Sequence, residues 1–495
     1  MGLPVRVITA IFLVVSGIDF TIRDGWAQRV DVGLAVQPHF VAFAQNPTQV
    51  DPNAWGPAGA DVVSCSPSPC VIPPVRPSGS LLTLDTAIAS NPRNPKQLLL
   101  GSVDSDCPGV GPGFYLSSDG GINWRHICMA ILTLGNHQYL PTGGPMVGYD
   151  SQGAAYVAGY YLSEDDFSSA TLVAFQKSSD GGITWSDPAP TMGHVNTIAT
   201  DTWLTVDTSD TSPYIDSLYV SGVLIGQRQG NGTYQVVVSH SNDGGATWRQ
   251  VPVTPAQTYP FADQSTNVTV GRDGAVYVTW VYCSDISQSC IYGTGNMLFS
   301  KSTDGGNTWS KPRLIRTVHV TWPLPNTDGV RVYDTPVIGV DNSGGPYSGN
   351  LYVTMYNWTG TYMQVGVVRS TDGGNTWSKP VPLAPLSDTH DQFFPWLSVS
   401  PSGLVSVTWL DRRNDPANVD YQPFVAISRD GGQSFGPDVQ LTTGFSDPNR
   451  GGEGNGWIGD YIGNTWAGPN NFVAAWMDDS NSQYMVDVVG GVRLK

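Results

Sequence analysis

Glutamate and lysine are scarce in this chain. Among its 41 acidic residues only Glu164 and Glu453 are glutamates, and lysine occurs six times in 495 residues. The formal net charge is −17, which argues against nucleic acid or an anionic membrane surface as the main partner. No stretch beyond the first 27 residues approaches the roughly 18 apolar residues that a spanning helix requires. We therefore expect no membrane span and no nucleic-acid partner.

Cysteine is sparse too, and no CxxC pair occurs, which argues against a structural zinc site. The six cysteines fall into close pairs, and three local disulfides are the pairing that we expect among about fifteen possible ones. The expected pairs are Cys65 with Cys70, Cys107 with Cys128, and Cys283 with Cys290. Disulfides of this kind are typical of proteins in an oxidising compartment.

The first 27 residues are typical of a secretory signal peptide. Arg6 supplies a positive charge, residues 7–15 form a short apolar run, and Gly25-Trp26-Ala27 is a small-x-small cleavage site. Together with the expected disulfides, this segment predicts a secreted protein, either extracellular or periplasmic.

One octapeptide, SxDGGxxW or a close variant, is abundant. Its six copies are Ser117–Trp124, Ser178–Trp185, Ser241–Trp248, Ser302–Trp309, Ser370–Trp377 and Ser428–Phe435. Successive copies are 58 to 68 residues apart, long enough for one four-stranded sheet each. Between them, β-branched and aromatic residues alternate and are bounded by Gly, Asp, Asn and Pro, as in strands and turns. The sequence therefore predicts an all-β fold, a β-propeller of four-stranded blades.

The repeats also predict how many blades there are and how the ring closes. First strands begin near Leu81, Met146, Trp203, Asn267, Thr335, Phe394 and Trp457. Seven blades are therefore favoured, with six as the alternative. The last unit has room for only three strands, so we expect an N-terminal strand, residues 32–43, to close the ring. Residues 28–79 are assigned to this closing strand and a loop, and residues 80–495 to the propeller.

Within the octapeptide, the two glycines allow positive φ angles and the aspartate can accept hydrogen bonds from the amides of its own turn. We interpret it as a structural turn. It resembles the Asp box, or BNR repeat, of the sialidase superfamily, over about residues 80–495. In that superfamily the box joins the third and fourth strands of a blade, away from the active site, so the resemblance implies a function on the opposite face. The superfamily's Arg-Ile-Pro signature is absent; Arg76-Pro77-Ser78 is the nearest segment.

The resemblance also implies a catalytic tyrosine activated by a glutamate, and an aspartate as acid/base. Because the chain has only two glutamates, Tyr461 with Glu453 is the candidate pair, and Asp411 is the candidate acid/base.

Arginines are expected to bind the carboxylate of an acidic sugar. The segment WLDRRND, residues 409–415, supplies Arg412 and Arg413, and Arg331 is a further candidate. A loop-stabilising cluster of salt bridges is an equally open interpretation of this segment. His390 and Asp391 complete the candidate substrate-binding set.

Four aspartates precede first strands at a similar place: Asp201, Asp263, Asp334 and Asp391. We favour backbone capping as their role. A carboxylate ring that holds Ca²⁺ in the central tunnel is the alternative, and we expect no other cofactor or metal.

Three functions stay open. The first is a sialidase-like exo-glycosidase that releases a terminal acidic sugar. The second is a non-catalytic propeller that binds glycans or a cell-surface protein, and the third is a polysaccharide lyase with His390 or Tyr333 as the base. An extracellular glycan or glycoconjugate is the expected partner, and we expect a monomer. The sequence leaves open whether the protein is an enzyme.

Overall fold

A computed structural model describes residues 69–78, 82–163, 171–194, 197–226, 232–286, 293–321, 323–324, 327, 330, 332, 335–449, 458–482 and 484–494. Several sequence predictions lie outside these residues: the signal peptide, the strand at residues 32–43, Cys65, Cys290, Arg331, Tyr333, Asp334 and Glu453. Within the described part, the chain forms strands and one 3₁₀ turn, Pro108–Val110, and no α-helix.

The N-terminal half of the described chain contains fifteen strands. Strand β1 is Cys70–Val75, and the next sheet holds β2 (Thr83–Ser90), β3 (Leu98–Asp104), β4 (Pro112–Ser117) and β5 (Arg125–Cys128). A ten-stranded sheet follows: β6 (Leu132–Leu134), β7 (His137–Tyr149), β8 (Ala155–Ser163), β9 (Thr171–Ser178), β10 (Ala189–Met192), β11 (Thr197–Val206), β12 (Leu218–Gly226), β13 (Thr233–Ser241), β14 (Arg249–Pro252) and β15 (Gln257–Thr258). Its two antiparallel halves meet at a single parallel bridge, Ile198 with Thr171.

The remaining fifteen strands, together with β1, form four sheets of four. The first three are β16 (Ala262–Val270), β17 (Val276–Cys283), β18 (Thr294–Ser302) and β19 (Arg313–His319); β20 (Ile338–Val340), β21 (Leu351–Trp358), β22 (Met363–Ser370) and β23 (Val381–Pro382); and β24 (Gln392–Val399), β25 (Val405–Asp411), β26 (Gln422–Ser428) and β27 (Val439–Gln440). The last contains β28 (Gly463–Trp466), β29 (Asn471–Asp478), β30 (Val486–Arg493) and β1.

The last sheet therefore takes its outer strand from the N-terminal part of the described chain. Strand β1 pairs antiparallel with β30, and Cys70 lies opposite Arg493. The outer position expected for residues 32–43 is thus occupied by β1. Residues 32–43 are predicted for this position because they precede the first full repeat, whereas β1, with its two prolines, lies in a segment predicted to be a loop. An outermost strand tolerates proline because one of its edges needs no partner.

The inner strands contact one another in chain order. Strand β2 contacts β7, then β7 contacts β11, β11 contacts β16, β16 contacts β20, β20 contacts β24 and β24 contacts β28, which returns to β2. Apolar residues from the facing sheets fill the space between them. This all-β arrangement of antiparallel sheets is consistent with a β-propeller.

Each octapeptide forms the turn after the third strand of its unit. In the copy at Ser370–Trp377, the Ser370 Oγ accepts a hydrogen bond from Gly374 N at 2.9 Å, and Asp372 Oδ1 accepts one from Thr376 N at 2.9 Å. Gly373 and Gly374 have φ angles of 69° and 85°, which side chains with a Cβ rarely adopt. The carboxylate is engaged within its own turn, as a structural role predicts.

The predicted pairing of Cys107 with Cys128 is confirmed, with Cα atoms 5.4 Å apart. Cys70 and Cys283 are disulfide-bonded as well. No helix in the described part of the chain is long and apolar enough to cross a membrane.

Candidate functional site

A cavity opens at the end of the sheets that faces away from the octapeptides. In the β12–β13 hairpin, Ile225 pairs with Tyr234 and both line the cavity. At the other end of the same hairpin, Leu218 pairs with Ser241, where an octapeptide begins. The cavity therefore lies on the face where the sequence predicted function.

The lining combines acids and aromatic rings. It includes the carboxylates of Asp85, Asp201, Asp263 and Asp460 and the rings of Tyr160, Trp203, Tyr234, Trp396 and Tyr461. No arginine, lysine or histidine occurs among the described lining residues. The cavity volume is about 90 Å³, which is room for several water molecules, since one water needs roughly 10–15 Å³ on this measure.

A β-bulge in each of four inner strands shapes this lining. Each strand carries one extra residue relative to its partner, and the bulged residue has a positive φ angle: Asp85 (58°), Asp201 (52°), Ser265 (57°) and Phe394 (49°). Such a bulge re-aims the neighbouring side chains. Trp203 and Trp396 each follow their bulge by two residues, so both indoles point to the centre of the molecule.

The predicted quartet of equivalent aspartates needs correction. Of the three members that the structure describes, only Asp201 occupies the bulge position; Asp263 lies two residues before Ser265, and Asp391 lies three before Phe394. Sequence spacing could not show this, because the extra residue in each bulge shifts the apparent strand start.

An aromatic trio closes the centre of the cavity. The rings of Trp203 and Trp396 have centroids 4.5 Å apart, and Tyr461 lies 5.7 Å from each of them. These residues come from β11, from β24 and from the segment before β28. Trp203 also packs against four of the hydrophobic clusters between the sheets. We call Trp203, Trp396 and Tyr461 the aromatic floor.

The four cavity carboxylates differ in exposure and in contacts. Asp201 Oδ2 accepts a hydrogen bond from Ser265 N at 3.0 Å, and Asp85 Oδ1 accepts one from Asp460 N, so each joins two neighbouring inner segments. Asp85 and Asp263 are buried, whereas Asp201 and Asp460 are partly exposed. Asp201 and Asp460 are therefore the two carboxylates that a ligand can reach.

Asp263 is buried in the wall of the cavity. Burial raises its pKa to about 6, although hydrogen bonds from Thr254 Oγ1 and Trp280 Nε1, each 2.9 Å long, favour the charged form. Because both oxygens already accept internal hydrogen bonds, Asp263 supports the wall of the cavity.

Tyr461, the predicted nucleophile, does line the cavity. Its hydroxyl donates a hydrogen bond to Pro145 O at 2.9 Å. Burial, assisted by the negative charge of Asp85, holds the pKa of Tyr461 well above its usual range. The ring forms part of the aromatic floor, and the nucleophilic role of Tyr461 stays a prediction.

Arg412 and Arg413 do not line the cavity. The side chain of Arg412 is 0 % exposed and its Nη1 lies 3.2 Å from Asp391 Oδ2. Arg413 is held by Asp411 Oδ2 at 2.5 Å and by Asp438, and its guanidinium stacks 4.2 Å from the Phe424 ring. The segment forms a cluster of salt bridges, as in the open alternative, and the substrate-binding role of the two arginines stays a prediction.

His390 belongs to the same cluster. Its Nδ1 lies 2.8 Å from Asp388 Oδ1, and Asp388 Oδ2 lies 3.5 Å from Arg413 Nε. His390, Asp391 and Asp411, predicted as site residues, lie with the two arginines in an ion-pair network beside β24–β27. Its carboxylates already have cationic partners inside the protein.

Ca²⁺ in the tunnel stays a hypothesis. In the described chain, the one group of three potential ligand side chains with atoms within 4.8 Å of one another is Cys107, His126 and Cys128. Two of these form a disulfide, so the group offers no thiolate. The cavity aspartates form no such group.

Sequence reasoning missed Asp85 and the two tryptophans of the floor. A signal did exist, because Trp203 and Trp396 each stand before a leucine in the first strand of their repeats.

No protein-family model and no curated protein matches this chain. Among solved structures, a PL25 ulvan lyase, a polysaccharide lyase, is similar with a TM-score of 0.51 at 12 % identity, covering 85 % of this chain and 94 % of that chain. A protein of unknown function from Dyadobacter fermentans has a TM-score of 0.47 at 11 % identity, covering 87 % and 100 %. The α-L-arabinofuranosidase Arb93A of Fusarium graminearum has 0.43 at 12 %, covering 74 % and 97 %. The likeness to the ulvan lyase, a glycan-active β-propeller, supports the fold.

Proposed function

We propose that this protein is a secreted, glycan-active β-propeller that binds a neutral sugar in the central cavity and hydrolyses its glycosidic bond. The observation that carries the proposal is the cavity lining: two reachable carboxylates, Asp201 and Asp460, beside the aromatic floor. Glycoside hydrolysis commonly uses two carboxyl groups, one to protonate the leaving oxygen and one as base or nucleophile. Aromatic rings stack well on the apolar face of a sugar.

The neutral sugar replaces the acidic one that the resemblance implied. An anionic sugar needs a cation to offset its charge, and the described lining offers four carboxylates and no arginine or lysine. Of the three arginines expected to bind it, Arg412 and Arg413 are ion-paired inside the protein, and Arg331 lies outside the described residues. A neutral sugar has no such requirement.

The architecture that we propose is a monomeric ring of seven blades closed by β1. The ten-stranded sheet then counts as two blades, since its halves meet at a single bridge between Ile198 and Thr171. The cyclic contacts of the seven inner strands support this count, as does the pairing of β1 with β30.

Catalysis can be tested by screening the purified protein against neutral glycosides, sialosides and uronate polymers. We expect turnover of a neutral glycoside, and kcat/KM lower by about 10²- to 10⁴-fold in Asp201→Asn and Asp460→Asn. Asp187→Asn is the matched control, because Asp187 is exposed on the octapeptide side. Full activity in both cavity variants, or turnover of sialosides alone, would contradict the proposal.

A non-catalytic glycan-binding propeller is the second candidate. It is favoured by the hydrogen bonds that Asp85 and Asp201 accept from backbone amides, which give both carboxylates a structural role. Binding of a neutral oligosaccharide without product formation after long incubation would select this candidate.

A further inference from the structure

Beside the cavity lies a group of exposed aromatic rings that its lining does not include. Tyr259 and Phe261 are 46 % and 44 % exposed. The Phe261 ring lies nearly parallel to that of Tyr282, which is partly exposed, with an interplanar angle of 8° and centroids 6.5 Å apart. Large rings exposed together are uncommon on a soluble protein unless they contact a ligand or partner. We call Tyr259, Phe261 and Tyr282 the aromatic platform.

The platform is continuous with the cavity. Phe261 directly precedes β16, and two residues later Asp263 lines the cavity, opposite Tyr282 in the strand pairing. Ile286, another lining residue, donates a backbone hydrogen bond to Pro260 O at 2.8 Å. On the other flank, Tyr259 N bonds to Gly232 O at 3.2 Å, two residues from Tyr234 in the wall. A sugar chain that extends from the cavity on this side would therefore contact the platform directly.

The charged residues near the platform indicate whether its ligand is charged or neutral. Between residues 232 and 300 the only arginine or lysine residues are Arg249 and Arg272. Arg249 bonds to Asn307 of an octapeptide at 2.7 Å, and Arg272 follows the far end of β16, so both belong to the opposite face. Within the described part of residues 232–300 the platform therefore has no neighbouring arginine or lysine, and its flat apolar rings suit the face of an uncharged sugar.

We propose that the aromatic platform binds further sugar units of a neutral oligo- or polysaccharide whose end occupies the central cavity. This inference rests on the proposed function, because it takes the cavity as the first sugar site. It predicts that the substrate is a polymeric glycan, since a small glycoside would not reach the platform. Affinity must then increase with chain length beyond the first unit.

Isothermal titration of the full protein tests this proposal. The probes are arabino-, xylo-, galacto- and gluco-oligosaccharides, each from the monosaccharide to about the hexasaccharide. We expect Kd for one series to fall with length, and Phe261→Ala and Tyr259→Ala to weaken binding of the longer members by about tenfold each. Binding of the monosaccharide by these variants should stay as in the unmodified protein. Ile183→Ala, an exposed apolar residue on the octapeptide face, is the control and should change neither.

Three results would overturn the platform proposal, and they differ in whether the cavity proposal is also contradicted. If short and long members bind equally, or if the platform variants bind like Ile183→Ala, the platform is not a sugar site and the cavity proposal survives. If no member of any series binds or is cleaved, both proposals fail. An unchanged thermal midpoint in Phe261→Ala and Tyr259→Ala shows that the variants are folded, so that a loss of binding can be assigned to the rings.

Discussion

The indole ring of Trp203 lies against that of Trp396, with the two centroids 4.5 Å apart. The residues belong to β11 and β24, which are separated by other inner strands on either side of the molecule. Their contact therefore crosses the centre of the fold and, with Tyr461, closes it. One feature accordingly has two effects: the rings join distant sheets, and they form the apolar surface on which a sugar can stack.

Removing the Trp396 ring should destabilise the protein. Trp396 is 5 % exposed, and Trp→Ala at a buried site typically costs about 3–5 kcal/mol through lost contacts and the cavity left behind. Equilibrium unfolding in guanidinium chloride should show this loss in Trp396→Ala and a smaller one in Trp396→Phe. Ile183→Ala, at an exposed site, should change the free energy of unfolding by less than about 0.5 kcal/mol. A loss below about 1 kcal/mol in Trp396→Ala would show that the floor does not join the sheets.

The octapeptide aspartates should make the fold sensitive to acid. Hydrogen bonds from Thr376 and Ser370 lower the pKa of Asp372 from 3.8 to about 2, and the pKa values of Asp180, Asp243 and Asp430 are lowered to about 2 as well. A carboxyl group whose folded pKa is depressed adds stability above its unfolded pKa and loses it as pH falls through the folded one. The thermal midpoint should therefore drop steeply between about pH 4 and pH 2.

Asp372→Asn should lower the midpoint at pH 6 and make the acid slope shallower, because one of the titrating groups is gone. Asp187→Asn replaces an exposed aspartate outside any octapeptide and should keep the full slope. Equal slopes in the two variants would mean that groups other than the octapeptides control acid unfolding.

Local sequence patterns were sufficient for the fold because the octapeptide is a local structure. Ser370, Asp372 and Gly374 bond within one turn, so their spacing alone specifies it. Counting those turns and the strands between them then predicts four-stranded sheets. The face on which to expect the site is implied by the resemblance of this turn to the Asp box.

The cavity was harder to predict because its geometry depends on long-range contacts. One inserted residue at Asp201 or Ser265 turns the neighbouring side chains, and the insertion is visible only in the pairing with the next strand. Arg412 shows the second limit. A loop rich in arginine and aspartate has the same composition whether it faces solvent or buries its charges in pairs, and burial is decided by the packing of β24–β27.

Asp263→Asn should stabilise the protein at neutral pH. Because burial raises the folded pKa of Asp263 from 3.8 to about 6, the folded state holds a proton that the unfolded state has released. Stability is therefore lost as pH rises from about 4 to about 6, and the charged form above pH 6 costs about 3 kcal/mol at most. Asparagine imitates the neutral acid and can still accept the hydrogen bond from Trp280 Nε1.

Urea unfolding of Asp263→Asn and the unmodified protein from pH 4 to pH 8 measures this difference. The variant should gain relative stability as pH rises and should keep it above pH 6. Asp187→Asn, measured alongside, should follow the unmodified protein. A variant that is less stable at every pH would mean that the ionised carboxylate is needed by its two donors.

Arg412→Ala should act on stability and leave sugar binding unchanged. Asp391 is 0 % exposed, and it accepts hydrogen bonds from Met363 N at 2.7 Å and Asn418 Nδ2 at 2.8 Å besides its contact with Arg412. Removing the cation leaves a buried carboxylate without its charge partner, which typically costs about 3–5 kcal/mol. The double variant Arg412→Met/Asp391→Asn removes both charges and should recover most of this loss. Denaturant unfolding measures the effect of each variant on stability. Titration of the folded variants with the neutral sugar measures the effect on binding. If Arg412→Ala has normal stability but no longer binds its ligand, the prediction is wrong. Arg412 would then be a binding residue, and an acidic sugar would again be a candidate ligand.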